Sequence, residues 1–208
     1  MYISYIVNKR YPGDRIELEV RYPFNYLGLY TNKDWIIKGD VGEGLGEDAK
    51  GGKIVVKGNA KDLVGACLEG GVIIIEGDVE GSAGLGMKSG EIIIKGNARS
   101  EVGGGMRGGR IVVEGNAKDW VGGSMDGGEI IIKGDVGDWL GGDMTGGRII
   151  VEGKAGKRIG DDMKGGEIFI GKLDPSNLSD DIYGGNIYAG LPGKAEPVVK
   201  DGKLVRKK

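Results

Sequence analysis

The sequence predicts an all-β fold, a single-stranded parallel β-helix (solenoid) of about eight 19-residue coils. Apolar columns recur with that period, and charged columns with the same period alternate in sign from one coil to the next. A fixed period near twenty residues is typical of a solenoid, in which stacked coils bury a common core. The marker glycine recurs once in every period without an insertion, at Gly39, Gly58, Gly77, Gly96, Gly115, Gly134 and Gly153.

Each coil contains a short β-branched run bounded by glycine, which predicts one strand. Residues two apart share a face of a strand, so two columns of this run point into the coil. The first column is Ile54, Ile73, Ile92, Ile111, Ile130, Ile149 and Ile168. The second is Ile37, Val56, Ile75, Ile94, Val113, Ile132, Val151 and Ile170. We expect these columns to form one continuous core.

The outward positions of the same run are charged, and their signs alternate along the stack. One column reads Lys53, Val72, Glu91, Arg110, Glu129, Arg148 and Glu167, and the other reads Lys57, Glu76, Lys95, Glu114, Lys133 and Glu152. Parallel strands lie about 4.8 Å apart, so in-register stacking would place opposite charges above and below each side chain. The charges therefore predict parallel, in-register coils independently of the glycines.

Between the two charged columns runs an outward apolar column, which we call the outer stripe. Its members are Ile36, Val55, Ile74, Ile93, Val112, Ile131, Ile150 and Phe169. Eight rungs make a stripe roughly 35 Å long, and a contiguous apolar surface of that size needs an explanation. Either a terminal segment of the chain covers the stripe, or Ile74, Ile93, Val112, Ile131, Ile150 and Phe169 form a docking surface for another chain.

Other columns of the repeat predict further parts of the core and the turns at the corners of each coil. A row of Leu68, Met87, Met106, Met125, Met144 and Met163 fits an irregular corner of the core, because methionine is unbranched and adaptable. Paired glycines such as Gly127 and Gly128 would provide the positive φ or tight bend that each turn needs. The Asx row Asp40, Asn59, Asp78, Asn97, Asn116 and Asp135 would cap turns or form a side-chain ladder.

The period defines the domain organisation. We expect residues 1–34 to form an amino-terminal cap with an atypical first coil, and residues 35–191 to form the repetitive β-helix. Residues 192–208 are polar and rich in lysine, and they either cap the last coil or are partly disordered. No linker divides the chain, so one domain is predicted.

Composition restricts the function. The formal net charge is −2, which gives no sign of nucleic-acid binding, and there is no histidine and only one cysteine, Cys67. An internal disulfide and a cysteine metal cluster are therefore excluded, and a reducing cytoplasm is expected. No leader peptide or membrane-spanning apolar stretch is evident. Abundant lysine and glutamate without glutamine suggest a thermophilic source.

Two further groups of residues are candidate sites. Trp120 and Trp139 share one outward offset on neighbouring coils, so they would stack as a hot spot for a partner or a planar ligand, or as a packed surface ladder. Asp143, Asp161 and Asp162 would offer oxygen ligands to a hard cation such as calcium, but solvated turn aspartates explain them better. We therefore predict no metal site, and no residue pattern indicates a catalytic group.

The unit at residues 115–133 reads GNAKDWVGGSMDGGEIIIK and resembles the GXGXG-motif family. This family includes the carboxy-terminal β-helix of the glutamate synthase large subunit and the β-helical subunit of formylmethanofuran dehydrogenase. The resemblance covers about residues 35–171 and implies a right-handed β-helix. It also implies a non-catalytic scaffold that binds no cofactor itself and packs against partners that carry a molybdenum or tungsten pterin, iron–sulfur clusters or FMN.

These observations favour an interaction subunit of a cytoplasmic redox complex, similar to the β-helical subunit of formylmethanofuran dehydrogenase. A stand-alone third domain of glutamate synthase is the first alternative. An autonomous carbohydrate-active β-helix enzyme is the second, although the uninterrupted period leaves no inserted loops to build its groove. Self-association through the outer stripe is a further possibility. No membrane or nucleic-acid partner is expected.

Overall fold

The computed structural model describes residues 15–205, so the first part of the predicted cap and the last three residues of the tail lie outside the described residues. The described chain forms a single twelve-stranded sheet in which the spatial order follows the sequence order. The strands are β1 Arg15–Glu19, β2 Asp34–Lys38, β3 Lys50–Lys57, β4 Gly70–Ile75, β5 Glu91–Ile94, β6 Arg110–Val113, β7 Glu129–Ile132, β8 Arg148–Val151, β9 Glu167–Ile170, β10 Asn186–Ala189, β11 Glu196–Lys200 and β12 Lys203–Leu204. One 3₁₀ turn, Pro175–Asn177, lies between β9 and β10.

The first ten strands pair in parallel, and their register repeats the sequence period. Ile111 pairs with Ile92 on one side and with Ile130 on the other, one period away in each direction. The same offset holds from Ile16 and Trp35 in β1 and β2 to the pairing of β9 with β10, apart from a register shift at the start of β3, where Lys50 pairs with Gly70. The predicted parallel β-solenoid is confirmed, with about nine turns, because Arg15–Glu19 is already a regular strand of the ladder.

The core lies inside the coils, where like residues stack on like. The two inward columns of the strands and the methionine row are buried; Ile111, Met125 and Ile130 are all 0% exposed. The other sides of each coil form no extended strands. They contain isolated parallel bridges instead, such as Val64 with Ala83. Glycine-rich sequence suits these sides because it bends easily and pairs weakly.

Hydrogen bonds between backbone N–H groups and side-chain oxygens reinforce the corner that follows each strand. In the Asx row, the side-chain oxygen of each residue accepts the backbone N–H of the residue on the next coil; Asn97 Oδ1 accepts from Asn116 at 2.9 Å, and Asn116 Oδ1 from Asp135 at 2.8 Å. The row is therefore a ladder from side chain to backbone. It satisfies amides that the short strands leave without sheet partners.

A second ladder of this kind was not predicted. Asp119 Oδ1 accepts the backbone N–H of Asp138, and Asp138 Oδ1 accepts that of Lys157. On an earlier coil Asp62 accepts hydrogen bonds from Ser82 and from the backbone of Leu63. Burial by itself would raise the pKa of the Asp62 carboxyl, but these hydrogen bonds together hold that pKa below its usual value.

The carboxy-terminal segment covers the end of the stack. After β10 the chain reverses, and β11 and β12 add to the sheet in antiparallel fashion. Val199 of β11 pairs with Ile187 and is 1% exposed, so it closes the core at this end. Antiparallel strands here end the parallel ladder, as expected of an atypical terminal unit in a solenoid.

Candidate functional site

The outer stripe occupies the outward face of the parallel strands, as predicted, but it is only partly accessible. Ile74, Ile93, Ile131 and Ile150 are half-buried. Val112 and Phe169 are 8% and 7% exposed and count among the buried residues. Rungs of a parallel ladder lie so close together that neighbouring side chains shield one another. The stripe is therefore a tightly packed ridge of apolar edges.

Ion pairs border the stripe on both sides. Arg110 pairs with Glu91 at 2.7 Å and with Glu129 at 3.2 Å. Hydrogen bonding to Glu91, the largest effect, raises the pKa of Arg110 despite partial burial. On the other border the structure has the pairs Lys95–Glu76, at 3.9 Å, and Lys133–Glu114, at 3.6 Å. The predicted alternation of sign thus forms real contacts between adjacent coils.

Reversing one charge tests this network. We expect Arg110→Glu to lower the free energy of unfolding by about 1–2 kcal/mol, since three consecutive carboxylates would then repel one another on a half-exposed surface. Urea unfolding at low and high salt measures the effect, which added sodium chloride should reduce because salt screens surface charges. Arg107→Glu is the matched control, because Arg107 is exposed and forms no ion pair within residues 15–205. Equal losses for both variants would contradict a role for the network.

Near the carboxy-terminal end of the outer stripe, aromatic side chains replace the aliphatic ones. Phe169 and Tyr188 stack with ring centroids 4.4 Å apart, and the Arg148 guanidinium lies 5.3 Å from the Phe169 centroid. Burial, followed by the charge of Glu167, raises the pKa of the Tyr188 hydroxyl. The stripe therefore ends in a stacked, neutral aromatic pair.

No described strand lies across the outer stripe. Each strand packs mainly against its neighbours along the ladder, including β11 and β12, which extend the sheet beyond β10. The hypothesis that a terminal segment covers the stripe thus gains no support from the carboxy-terminal strands. Its amino-terminal version concerns residues 1–14, which are outside the described range.

The two tryptophans stack as predicted. The ring centroids of Trp120 and Trp139 are 5.3 Å apart and their planes differ by 4°. Trp120 is 41% exposed and Trp139 is half-buried. The Arg158 guanidinium lies 5.7 Å from the centroid of Trp139, so the stack continues as Trp120, Trp139 and Arg158 on three successive coils.

A slot lies beside Trp120 on the side of the preceding coils. It has a volume of about 210 Å³ and is lined by Leu85, Glu101, Gly104, Gly105, Trp120, Gly123 and Ser124. Sequence reasoning found only the tryptophan among these residues. A signal for Glu101 is nevertheless present in the sequence, since Glu101 lies one period before Trp120 in the same column.

The backbone of this corner was also not predicted. Several residues other than glycine adopt left-handed φ, including Glu101 at 50°, Trp120 at 62° and Trp139 at 57°. Such conformations are uncommon for large side chains and persist only where the surroundings enforce them. Here the repeated coil enforces them, and the side chains of one column are directed outward in register.

The three candidate aspartates are not assembled into one cation site. Asp143 pairs with Lys164 at 3.8 Å, and Asp161 pairs with Arg158 at 3.6 Å and accepts a hydrogen bond from Ser179. Asp162 is exposed. Within residues 15–205, no group of three or more histidine, cysteine, aspartate or glutamate side chains is placed to hold a metal ion.

The described chain contains no helix of the length and apolar character that crossing a bilayer requires. Cys67, the single cysteine of the sequence, is half-buried and forms no disulfide.

The structure can be placed among solved structures. It is similar to a chain in the X-ray crystal structure of the formyltransferase/hydrolase complex (FhcABCD) from Methylorubrum extorquens, in complex with methylofuran. The TM-score is 0.66 at 28% sequence identity, and the match covers 72% of this chain and 58% of that chain. The present chain therefore matches less than two thirds of the length of that neighbour. A search of curated proteins finds no match.

The sequence family agrees with the fold. The model of the family described as GXGXG motif matches residues 3–182, which is most of the chain. The repeat within the matched part of this chain is the structural coil described above, with glycines at the corners and β-branched residues in the strands. The chain belongs to the GXGXG-motif family.

Proposed function

We propose that this chain is a β-solenoid interaction subunit of a multi-subunit enzyme complex of the formyltransferase/hydrolase kind. The observation that carries the proposal is the likeness to a chain of such a complex over 72% of the present sequence. The resemblance to the β-helical subunit of formylmethanofuran dehydrogenase points to the same kind of assembly. The chain would act as a scaffold, with the chemistry on its partners.

The regularity of the coils supports a scaffold. From Gly39 to Gly153 the 19-residue period has no insertion, so no long loop is available to build a substrate groove. The acidic side chains near the corners form ion pairs and backbone ladders instead of converging on one point. We therefore expect any redox cofactor of the complex, such as a pterin, an iron–sulfur cluster or FMN, to be held by partner subunits.

The outer stripe is the proposed contact surface. It is an apolar column that runs along eight parallel strands, β2 to β9, and none of the described strands packs across it. The isoleucine edges stand on strands that are hydrogen-bonded to both neighbours, so docking would cost little ordering entropy. Along each border of the stripe, the charged side chains already form ion pairs with those on neighbouring coils. The apolar ridge would therefore provide most of the contact energy.

Purification of the complex from the native host tests the proposal. Mild extraction, size-exclusion chromatography and mass spectrometry should show the chain eluting with subunits of a formyltransferase/hydrolase-type enzyme. Flavin-dependent glutamate synthase subunits in the same fractions would instead assign the chain as a third domain of that enzyme. A lone monomer or a homo-oligomer without enzyme subunits would contradict the proposal.

A substitution in the stripe gives a sharper result. Ile131→Lys should lower recovery of the partner subunits by about tenfold or more, because it places a charge in the centre of an apolar contact. Glu80→Lys is the matched control, since it introduces the same side chain at an exposed position on the Asx corner. Both variants are first compared by urea unfolding. Equal recovery of partners with the two variants would rule out the stripe as the contact surface.

A further inference from the structure

We propose that the slot beside Trp120 binds the guanidinium group of an arginine side chain from a partner protein. This inference rests on the proposed function only in requiring that a partner protein exists. It concerns a different surface, since the slot lies at a turn corner whereas the outer stripe lies on the strands.

The slot presents one free aromatic face. Trp139 covers the Trp120 ring on the side of the following coil, at 5.3 Å between centroids. All other residues that line the slot come from the coil of Trp120 or from the two preceding coils. The open face of Trp120 therefore looks into the slot, with Leu85, which is 36% exposed, as the apolar wall on the far side.

The floor of the slot is backbone. Gly104, Gly105 and Gly123 line it, and a methyl group added at Gly105 would meet nothing within 4 Å. A Cβ atom at Gly123 would lie 3.4 Å from Cε3 of Trp120, and one at Gly104 would lie 3.1 Å from Cδ1 of Leu85. Side chains at Gly104 and Gly123 would crowd Leu85 and Trp120, so the glycines keep the space between the tryptophan and the leucine open.

The charge of the slot selects a cation. Glu101 lines it, and no ion pair of Glu101 exists in the described part of the chain. Both the negative face of an indole and a neighbouring carboxylate attract a positive group. Of the two cationic side chains of proteins, arginine is the planar one, is less strongly hydrated, and stacks on aromatic rings while donating hydrogen bonds to a carboxylate.

A contact of this kind, between a guanidinium group and a tryptophan ring, already exists at the other end of the stack. The Arg158 guanidinium lies 5.7 Å from the Trp139 centroid and also pairs with the carboxylate of Asp161, at 3.6 Å. Aromatic ring, guanidinium and carboxylate occur there together within one chain. On the Trp120 side the ring and the carboxylate of Glu101 are present and the guanidinium is missing. Glu101 occupies the rung before Trp120, as Arg158 occupies the rung after Trp139, so an arginine from a partner would pair with Glu101 and lie against the open face of Trp120.

The test uses the intact chain and small probes. The chain has three tryptophans, so three indole N–H signals are expected in a ¹H–¹⁵N NMR spectrum. Titration with N-acetyl-argininamide should shift the Trp120 signal at least about threefold more than equal concentrations of N-acetyl-lysinamide or methyl glucoside do. Trp35 serves as an internal reference, because it is 0% exposed and its indole N–H donates to Thr31.

Two variants locate the binding. Glu101→Gln should weaken the response to N-acetyl-argininamide by about threefold, while Glu80→Gln, a neutralisation at an exposed site on another corner, should leave it unchanged. Trp120→Asn removes this indole reporter, so binding to the variant is followed at the backbone amide signals of Gly104 and Gly105. The response of these amides to N-acetyl-argininamide should be abolished, and asparagine tolerates the left-handed φ of 62° at this position. Normal urea unfolding of each variant confirms that the coil is intact.

Equal shifts with the arginine and lysine probes, an equal response to methyl glucoside, or no effect of Glu101→Gln would overturn the inference. The result is separable from that for the proposed function. Partner subunits that elute with a chain lacking the arginine response would contradict only the slot. An arginine response in a chain that elutes without enzyme subunits would support the slot and contradict the proposed complex.

Discussion

Gly128→Ala is expected to lower the free energy of unfolding by more than about 3 kcal/mol. Gly128 has φ of 88°, which alone costs an alanine about 1–2 kcal/mol. The added Cβ would also lie 2.8 Å from the carbonyl oxygen of Gly109 and 2.7 Å from Cε of Met106. The oxygen cannot retreat easily, because it accepts the Glu129 N–H at 3.0 Å.

Gly105→Ala is the matched control for this variant. Gly105 also has positive φ, 59°, but nothing lies within 4 Å of an added Cβ there. We expect this control to lose only about 1 kcal/mol, the cost of the backbone conformation without the clash. Urea unfolding followed by circular dichroism measures both. Similar midpoints for the two variants would show that adjacent coils can separate at little cost, contrary to a close-packed ladder.

Ile130→Ala and Ile131→Ala should differ strongly although the residues are adjacent. Ile130 is 0% exposed and packs between Ile111 and Ile149 in the core, so its truncation should cost about 3–4 kcal/mol. Ile131 is half-buried on the outer stripe, and we expect a loss of about 1 kcal/mol. Unfolding in urea provides the comparison, and the substitutions leave the hydrogen bonds of β7 unchanged.

This pair also tests what covers the stripe. If Ile131→Ala costs as much as Ile130→Ala in the isolated chain, the stripe is as well shielded as the core. A segment of the chain would then lie over it, and the proposed contact surface would be wrong. A small loss at Ile131 combined with poor recovery of partner subunits would identify a residue that matters for binding more than for folding.

The effects of Gly128→Ala and Ile130→Ala should be largest near β7 and should decrease along the stack. Each coil of a solenoid contacts only its neighbours, so local destabilisation weakens an interface between two coils. Hydrogen exchange should therefore show the largest loss of protection in the coils that flank β7. The terminal coils, which lie several coils away from β7, should change least.

Much of the fold was predictable because one period governs it. Strand positions, the inward columns, the pairing of Arg110 with Glu91 and the stacking of Trp120 on Trp139 all follow from residues that recur at one spacing. Parallel in-register stacking turns a sequence offset into a spatial neighbour, so columns could be read directly as contacts. The strength of the prediction lies in this regularity.

The slot was less predictable because it is a space between side chains, and the columns of the sequence show only which residues are present. Glu101 has the same offset as Trp120, but only the three-dimensional structure shows that a space with a glycine floor lies between Trp120 and Leu85. The left-handed φ of Trp120 and Glu101 could not be inferred either, since neither residue type favours it. That conformation is imposed by the turn of the coil rather than by the side chain.

The sequence by itself determined the parallel solenoid, its period, its core columns and its charge ladders, because each is a repeated local choice that stacking converts into contacts. The tertiary structure decided how accessible those columns are. Neighbouring rungs lie so close that Val112 and Phe169 of the outer stripe become buried, while the corner at Trp120 stays open over glycine. Exposure depends on the combined volume of residues at several offsets in adjacent coils, and a single column of the sequence contains only one of these offsets.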